Sequence, residues 1–279
     1  MEKDFKARLS ALTETIDGLK VITLSALQTL EREFNLSRRE AELAALEAGV
    51  LPRRYLRSYG TVGIEGQIKL LRSTVAVVGL GGLGGNVVEA LARMGVGRII
   101  AVDGDTFVDH NLNRQLLSSE AVLTQSKAEA ARARVAAINP AVEVVPHSTN
   151  LTPQNMETIL RGAEVVVDAL DRLPARLMLQ DGAQRLGIPM VHGAIAGYVG
   201  QVMTILPGDP GLHALYGDEV PAQGAEVELG CPAATPMMVA AWQVQEVMKI
   251  LLGRGELLRH RMLFMDAEWG TIEVLKMGP

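Results

Sequence analysis

Residues 73–115 read STVAVVGLGGLGGNVVEALARMGVGRIIAVDGDTFVDHNLNRQ. The run 75–78 is short, apolar and mostly β-branched, and it leads through Gly79, Gly81, Gly82 and Gly84 into an apolar-periodic stretch. That order is strand, phosphate turn, helix. Glycines suit the turn because it is tight, because a phosphate needs close backbone approach, and because helix and strand pack closely there. The free N–H groups at the helix N-terminus then face the anion. A second strand, 98–102, ends on Asp103, at the distance beyond the glycines where a carboxylate meets a ribose hydroxyl. These features predict an α/β chain that binds a nucleotide.

The residues after Asp103 separate the nucleotide chemistries. The chain continues with Asp105, Asn111, Asn113, Arg114 and Gln115, then Lys127 on the next helix, so polar and cationic groups accumulate after the phosphate turn. An NAD(P)-dependent oxidoreductase would share residues 79–103 but leave Arg114, Lys127 and Asp171 without a role. Together with RYLR at 54–57 and VVDALDR at 166–172, the pattern resembles the ThiF/MoeB/HesA family, relatives of the ubiquitin-activating enzymes, over roughly residues 50–277.

The resemblance implies a Rossmann-like mixed sheet with helices on both faces and an ATP-dependent adenylyltransferase activity. The substrate it implies is the C-terminal glycine carboxylate of a small ubiquitin-like sulfur-carrier protein ending in Gly-Gly. A small carboxylate, or the modified adenosine of tRNA, is the alternative. Carried over by motif, Gly79, Gly81, Gly82, Gly84, Asp103, Asp105, Asn111 and Gln115 would hold ATP, and Asp171 would hold Mg²⁺. Arg114 and Lys127 would clamp the phosphates, with Arg57 reaching the nucleotide of the other subunit in a homodimer. Many members carry a structural zinc on two CxxC pairs; this chain has neither pair, so no such zinc is expected. Its single cysteine, Cys231, stands at the end of the segment where several members carry a reactive thiol.

Composition sets outer bounds. At 279 residues, 48% of them hydrophobic, the chain can bury a sizeable core. A formal net charge of −5 supplies no basic field for nucleic acid or a membrane surface. Apolar runs such as 75–80 and 237–242 fall far short of the ~20 residues that a membrane span needs. The first ten residues, MEKDFKARLS, do not read as a signal peptide, so a cytoplasmic protein is expected.

Elsewhere the periodicity predicts one long amphipathic helix over 1–34 and a second over 38–48 with a Ser37/Glu40 capping box, together a helical extension of residues 1–50 before a domain of 51–279. Helices are further expected at 126–138, from Thr152-Pro153 to Gly162, at 174–186 and at 237–252. Strands are expected at 142–145, 164–168 and 188–191, the second delivering Asp171 just past its end. Beyond Val199 the strand and helix alternation stops, predicting antiparallel strands near 262–265 and 271–275. Residues 207–230, rich in Gly, Pro and acids, read as one long surface loop.

Overall fold

The computed structural model describes residues 2–217, 220–221 and 224–277. Its N-terminal part corrects the sequence reading. The expected single helix is broken into α1 (Glu2–Ala11), a hairpin of β1 (Glu14–Ile16) and β2 (Leu19–Ile22), and α2 (Leu24–Phe34). The cause is local. Asp17 and Gly18 both take positive φ, 50° and 80°, forming a two-residue turn whose twist suits a hairpin. Thr23 then starts α2 by accepting a hydrogen bond from the Ala26 N–H at 3.2 Å.

Helix α3 (Arg38–Glu47) carries the expected Ser37/Glu40 capping box. It leads to β3 (Leu51–Pro52), which pairs parallel to β2. The extension is therefore not purely helical, and its small sheet takes residues from beyond position 50. Leu9, Ile22, Leu27, Leu30, Ala41 and Ala45 form its own core, while Val21, Leu46 and Leu51 join Tyr55, Ile68, Leu71 and Ala141 beneath it. A buried polar contact reinforces that junction: the Tyr55 hydroxyl donates to Glu42 at 2.9 Å, and Asn139 donates to the Tyr55 hydroxyl at 3.1 Å. Burial pushes the Glu42 carboxyl up, against the opposing pull of Arg54.

A 3₁₀ turn, Arg53–Ser58, and α4 (Tyr59–Arg72) lead into the main sheet. Its elements are, in chain order, β4 (Thr74–Val78), α5 (Gly82–Met94), β5 (Arg98–Val102), α6 (Lys127–Ile138), β6 (Glu143–His147), α7 (Met156–Leu160), β7 (Val165–Asp168) and α8 (Leu173–Leu186). The chain then runs through β8 (Met190–Ala196), β9 (Val199–Ile205), α9 (Leu212–Tyr216), α10 (Glu226–Leu229), α11 (Ala234–Leu252), β10 (Arg261–Asp266) and β11 (Thr271–Lys276). The strand order is β11-β10-β9-β8-β7-β4-β5-β6, parallel from β6 to β8 and antiparallel from β8 to β11.

Both faces are covered, as strands such as Val75–Val78 require. Val75, Val77, Ile99 and Ala101 pack under α5, α6 and α11, whereas Ala76, Val78, Ile100 and Val102 pack under α7 and α8. From β4 the chain builds outward to β5 and β6, then returns to place β7 on the other side. That reversal opens a crevice at the carboxyl ends of β4 and β7. No described helix is long and apolar enough to cross a membrane.

Two further expectations are corrected. The predicted cap at Thr152 exists, but it closes a turn in which Thr152 and Asn155 bond reciprocally, and the helix starts only at Met156. The segment 207–230 is not one free loop. Gln180 donates to the Pro210 carbonyl and accepts from the Leu212 N–H, and Gln184 donates to the Asp209 carbonyl, so α9 is pinned to α8. For Asp218, Glu219, Ala222 and Gln223 the loop expectation lies outside the described residues.

Gly84 illustrates the close packing read from the sequence, since a Cβ there would overlap the Gly79 carbonyl oxygen. Replacing Gly84 by Ala should destabilise the fold by at least about 1–3 kcal/mol, the usual cost of overpacking. Thermal unfolding checks this against Gly85→Ala, where the added carbon comes no nearer than 3.3 Å to Leu117 and the loss should be smaller.

Candidate active site

At the crevice, Gly79 turns the chain with φ 89° and donates its N–H to the Val102 carbonyl at 2.8 Å. Asp103 locks the turn from the neighbouring strand: one carboxylate oxygen accepts from the Leu80 N–H at 2.7 Å and the other from the Asp105 N–H at 2.8 Å. Burial raises the Asp103 pKa, with Lys127 and the two backbone donors opposing it. Each oxygen retains a further acceptor site.

Lys127 stands in the first turn of α6, its side chain 8% exposed, and its Nζ donates to Asp105 at 3.0 Å while lying 4.0 Å from Asp103. The Arg114 guanidinium is held by the His110 carbonyl and the Asn113 side chain, both at 2.9 Å. Gln115 is buried, and its Oε1 has no hydrogen-bond partner among the described residues.

These groups line a cavity of about 360 Å³ with Gly79, Gly81, Gly82, Asp103, Asp105, Asp171, Arg176 and Cys231. A second cavity, about 230 Å³, shares Asp171, Arg176, Ile195 and Glu226 with the first. Its remaining walls are largely small residues, including Ala194, Ala196, Gly200, Gly224 and Ala225, with Gln201 and Tyr216 as polar members.

Three residues given a site role from the sequence are not brought to either cavity wall. Gly84 lies behind the turn, packed against the Gly79 carbonyl. Asn111 is buried in its own loop, where its side-chain oxygen accepts from the Val108 N–H at 3.1 Å. Arg57 is exposed and lines neither cavity of its own chain.

The sequence reading missed the polar cluster beneath the two cavities. Asp168 is fully buried at the end of β7, bonded to Arg176 at 3.1 Å, to His192 at 2.7 Å and to the Leu170 N–H at 3.0 Å. Burial alone would raise its pKa, but Arg176 and the His192 hydrogen bond outweigh it and hold the carboxyl below its usual range. Burial lowers the His192 pKa, an effect that its contact with Asp168 only partly offsets. A neutral imidazole with its proton on Nδ1 satisfies Asp168 and leaves Nε2 to accept from Gln201 at 3.2 Å. Gln201 also donates to the Tyr216 hydroxyl at 2.6 Å. The available signal was Arg176 itself, a cation in the opening turn of the helix just after Asp171.

The fold also supplies Cys231 with charged neighbours that are remote in sequence. Burial raises the thiol pKa, with Arg114 pulling it down and Glu226 pushing it up. Among the described residues no three His, Cys, Asp or Glu side chains converge as a metal cluster.

The glycine turn, the clustered cations and the crevice between β4 and β7 occur together with a sequence match over residues 55–279 to the ThiF family. The chain belongs to the ThiF family. It is 40% identical over 217 residues to the SAMP-activating enzyme E1 of Haloferax volcanii, covering 77% of this chain and 80% of that protein. It is also 38% identical over 216 residues to the sulfur carrier protein adenylyltransferase of Thermus thermophilus, covering 74% and 79%. A crystal structure of E. coli MccB with MccA-N7isoASN shares the fold with TM-score 0.69 and 20% identity, over 99% of this ThiF-family chain and 88% of that one.

The two aspartates of the 166–172 stretch should behave oppositely. Asp168→Asn leaves Arg176 buried without its counter-charge and should cost about 3–5 kcal/mol, as breaking a buried pair does. Asp171→Asn, at an exposed position, should change stability little. Denaturant unfolding of both variants makes the comparison.

Proposed function

We propose that this ThiF-family protein uses ATP to adenylate the C-terminal glycine carboxylate of a ubiquitin-like sulfur carrier ending in Gly-Gly. The observation that carries the reading is the meeting of two cavities at Asp171 and Arg176. One has a phosphate turn and cations; the other has five alanines and glycines in its walls, which suits an extended chain without side chains. The names of the Haloferax and Thermus relatives point to the same activity.

In this reaction a carboxylate oxygen bonds to the α-phosphorus of ATP, the bond to the bridging oxygen breaks, and pyrophosphate leaves. The carboxylate is already ionised near neutral pH, so no general base is required. The obstacle is an anion approaching a polyanion. Positioning and fixed cations therefore do most of the catalysis. Gly79, Gly81 and Gly82 offer the phosphates a backbone without side chains, Asp103 suits the ribose, and Gln115 lines the same cavity. Lys127 and Arg114 balance charge on the phosphates, and Arg176 stands where the carboxylate would arrive. Mg²⁺ commonly uses one or two carboxylates with substrate phosphates, a role that the exposed Asp171 fits. Bound there, the ion would neutralise phosphate charge. Cys231 has no part in this step.

The same reading makes the chain a cytoplasmic homodimer in which Arg57 serves the partner's nucleotide. Pro236, in the first turn of α11, stands against Gly82 of the phosphate turn, while Arg254, just past the end of α11, donates to the Thr61 carbonyl near Arg57. Helix α11 has 19 residues. It therefore spans roughly 28 Å at 1.5 Å per residue. Within one chain Arg57 and the nucleotide cavity thus belong to opposite ends of that helix. An antiparallel pair of α11 helices would bring each Arg57 to the other chain's cavity.

Calorimetric titration should show binding of ATP with Mg²⁺ and none of NAD⁺; the reverse pattern would remove adenylation from consideration. Arg57→Ala and Lys127→Ala should each abolish ATP–pyrophosphate exchange. Mixed under conditions of proven subunit exchange they should regain part of it, because a heterodimer keeps one intact composite site. Absence of rescue would confine Arg57 to its own chain.

A further inference from the structure

The 3₁₀ turn that carries Arg57 is clamped from two sides. Toward the extension, Glu42 of α3 is fully buried; it accepts from the Tyr55 hydroxyl at 2.9 Å and stands 3.2 Å from the Arg54 guanidinium. Toward the main sheet, Arg54 donates to the Ile138 carbonyl at 3.2 Å, while Asn139 donates to the Tyr55 hydroxyl at 3.1 Å and to the Ala92 carbonyl at 3.0 Å. Helix α3 is itself fixed to that body, because Arg39 donates to the Gly97 carbonyl at 2.8 Å. Strand β3, paired with β2, ends at Pro52, so the extension also holds the chain directly before the turn. Arg53 and Arg57 are exposed, whereas Tyr55 is buried. The direction in which Arg57 leaves the surface therefore depends on how Arg54 and Tyr55 are seated beneath it.

An acid in that place is not what packing alone asks for, since apolar residues such as Leu46 and Leu51 cover the same junction. Buried ion pairs are often no more stabilising than apolar groups of similar volume, and what this one adds is a defined geometry for its two partners. We propose that Glu42 is a positioning residue for the reaction: through Tyr55 and Arg54 it sets the turn from which Arg57 reaches the partner's nucleotide. The N-terminal extension is thereby a mount for the arginine that one chain lends to the other. The inference rests on the homodimer reading and adds to it which part of the chain aims Arg57. Glu42 touches no atom of ATP or of the carboxylate. An arginine that leaves from a seated turn loses less freedom when it meets the phosphates. Glu42 and Arg54 precede residue 55, where the family match begins, so the mount lies partly outside the matched domain.

The test measures ATP–pyrophosphate exchange with a ubiquitin-like protein ending in Gly-Gly, from the same genome, as the probe. In a heterodimer of Arg57→Ala and Lys127→Ala chains, the intact composite site takes Arg57 from the Lys127→Ala chain and its nucleotide cavity from the other. Glu42→Gln added to the Lys127→Ala chain should lower the restored kcat about ten-fold or more, since a misplacement of about 1 Å can cost a hundred-fold. The same substitution in the Arg57→Ala chain should leave it within about two-fold. Tyr55→Phe, which keeps the ring in the core, should show the same asymmetry, and it decides the matter if the Glu42→Gln chain does not fold. Equal losses in both placements overturn the proposal and reduce Glu42 to a support of the fold; no loss in either placement overturns it as well. If the parent pair restores no exchange despite proven subunit exchange, the homodimer reading fails and this inference with it. If the unsubstituted protein supports no exchange with the probe, the adenylation reading fails before both.

Discussion

The buried ion cluster of Asp168, Arg176 and His192 is the constraint on which the site depends. It lies where β7, α8 and β8 meet, and Gln243 of α11 adds a hydrogen bond to the Asp168 carbonyl at 2.8 Å. A carboxylate removed from water survives ionised only if its partners restore what solvation gave, and here a guanidinium, an imidazole N–H and a backbone N–H do so. Arg176 is thereby fixed at the junction of the two cavities. The cluster continues through Gln201 to Tyr216, so the position of α9 and the position of Arg176 are tied by one hydrogen-bonded chain.

A different arrangement governs the cations on the nucleotide side. Lys127 is nearly buried and already paired with Asp105, and the Arg114 guanidinium is held by a backbone carbonyl and a side-chain amide. Neither has to be ordered when an anion arrives, which reduces the entropic cost of forming the complex. The Asp105 side chain is 69% exposed, so an anion that took Lys127 from it would leave a carboxylate that water can solvate.

How much of this is legible in the sequence depends on how local each signal is. The phosphate turn, its flanking strands and the α3 capping box are set by neighbours along the chain, and they appear where the residues place them. The single N-terminal helix is a misreading because leucine periodicity masks a two-residue Asp-Gly turn, and in the structure that turn decides the backbone path. Asn111 looks like a ligand because it stands among the polar residues that the family pattern assigns to the nucleotide, yet its side chain closes its own loop. The Asp168, Arg176 and His192 cluster joins the ends of separate elements, and no spacing rule brings His192 to Asp168. Cys231 likewise looks isolated in the sequence, whereas the fold brings Arg114 and Glu226 within electrostatic reach.

The parallel pairing of β3 with β2 has a consequence for how the molecule is made. Leu46 and Leu51 share a core with Tyr55, Ile68, Leu71 and Ala141, all later in the chain. During synthesis the first fifty residues leave the ribosome before the side chains that cover them. The extension can form its own small core early, but its underside stays wet until the residues around Ala141 have emerged and β6 has begun to join the sheet. The extension is thus translated well before its underside is sealed.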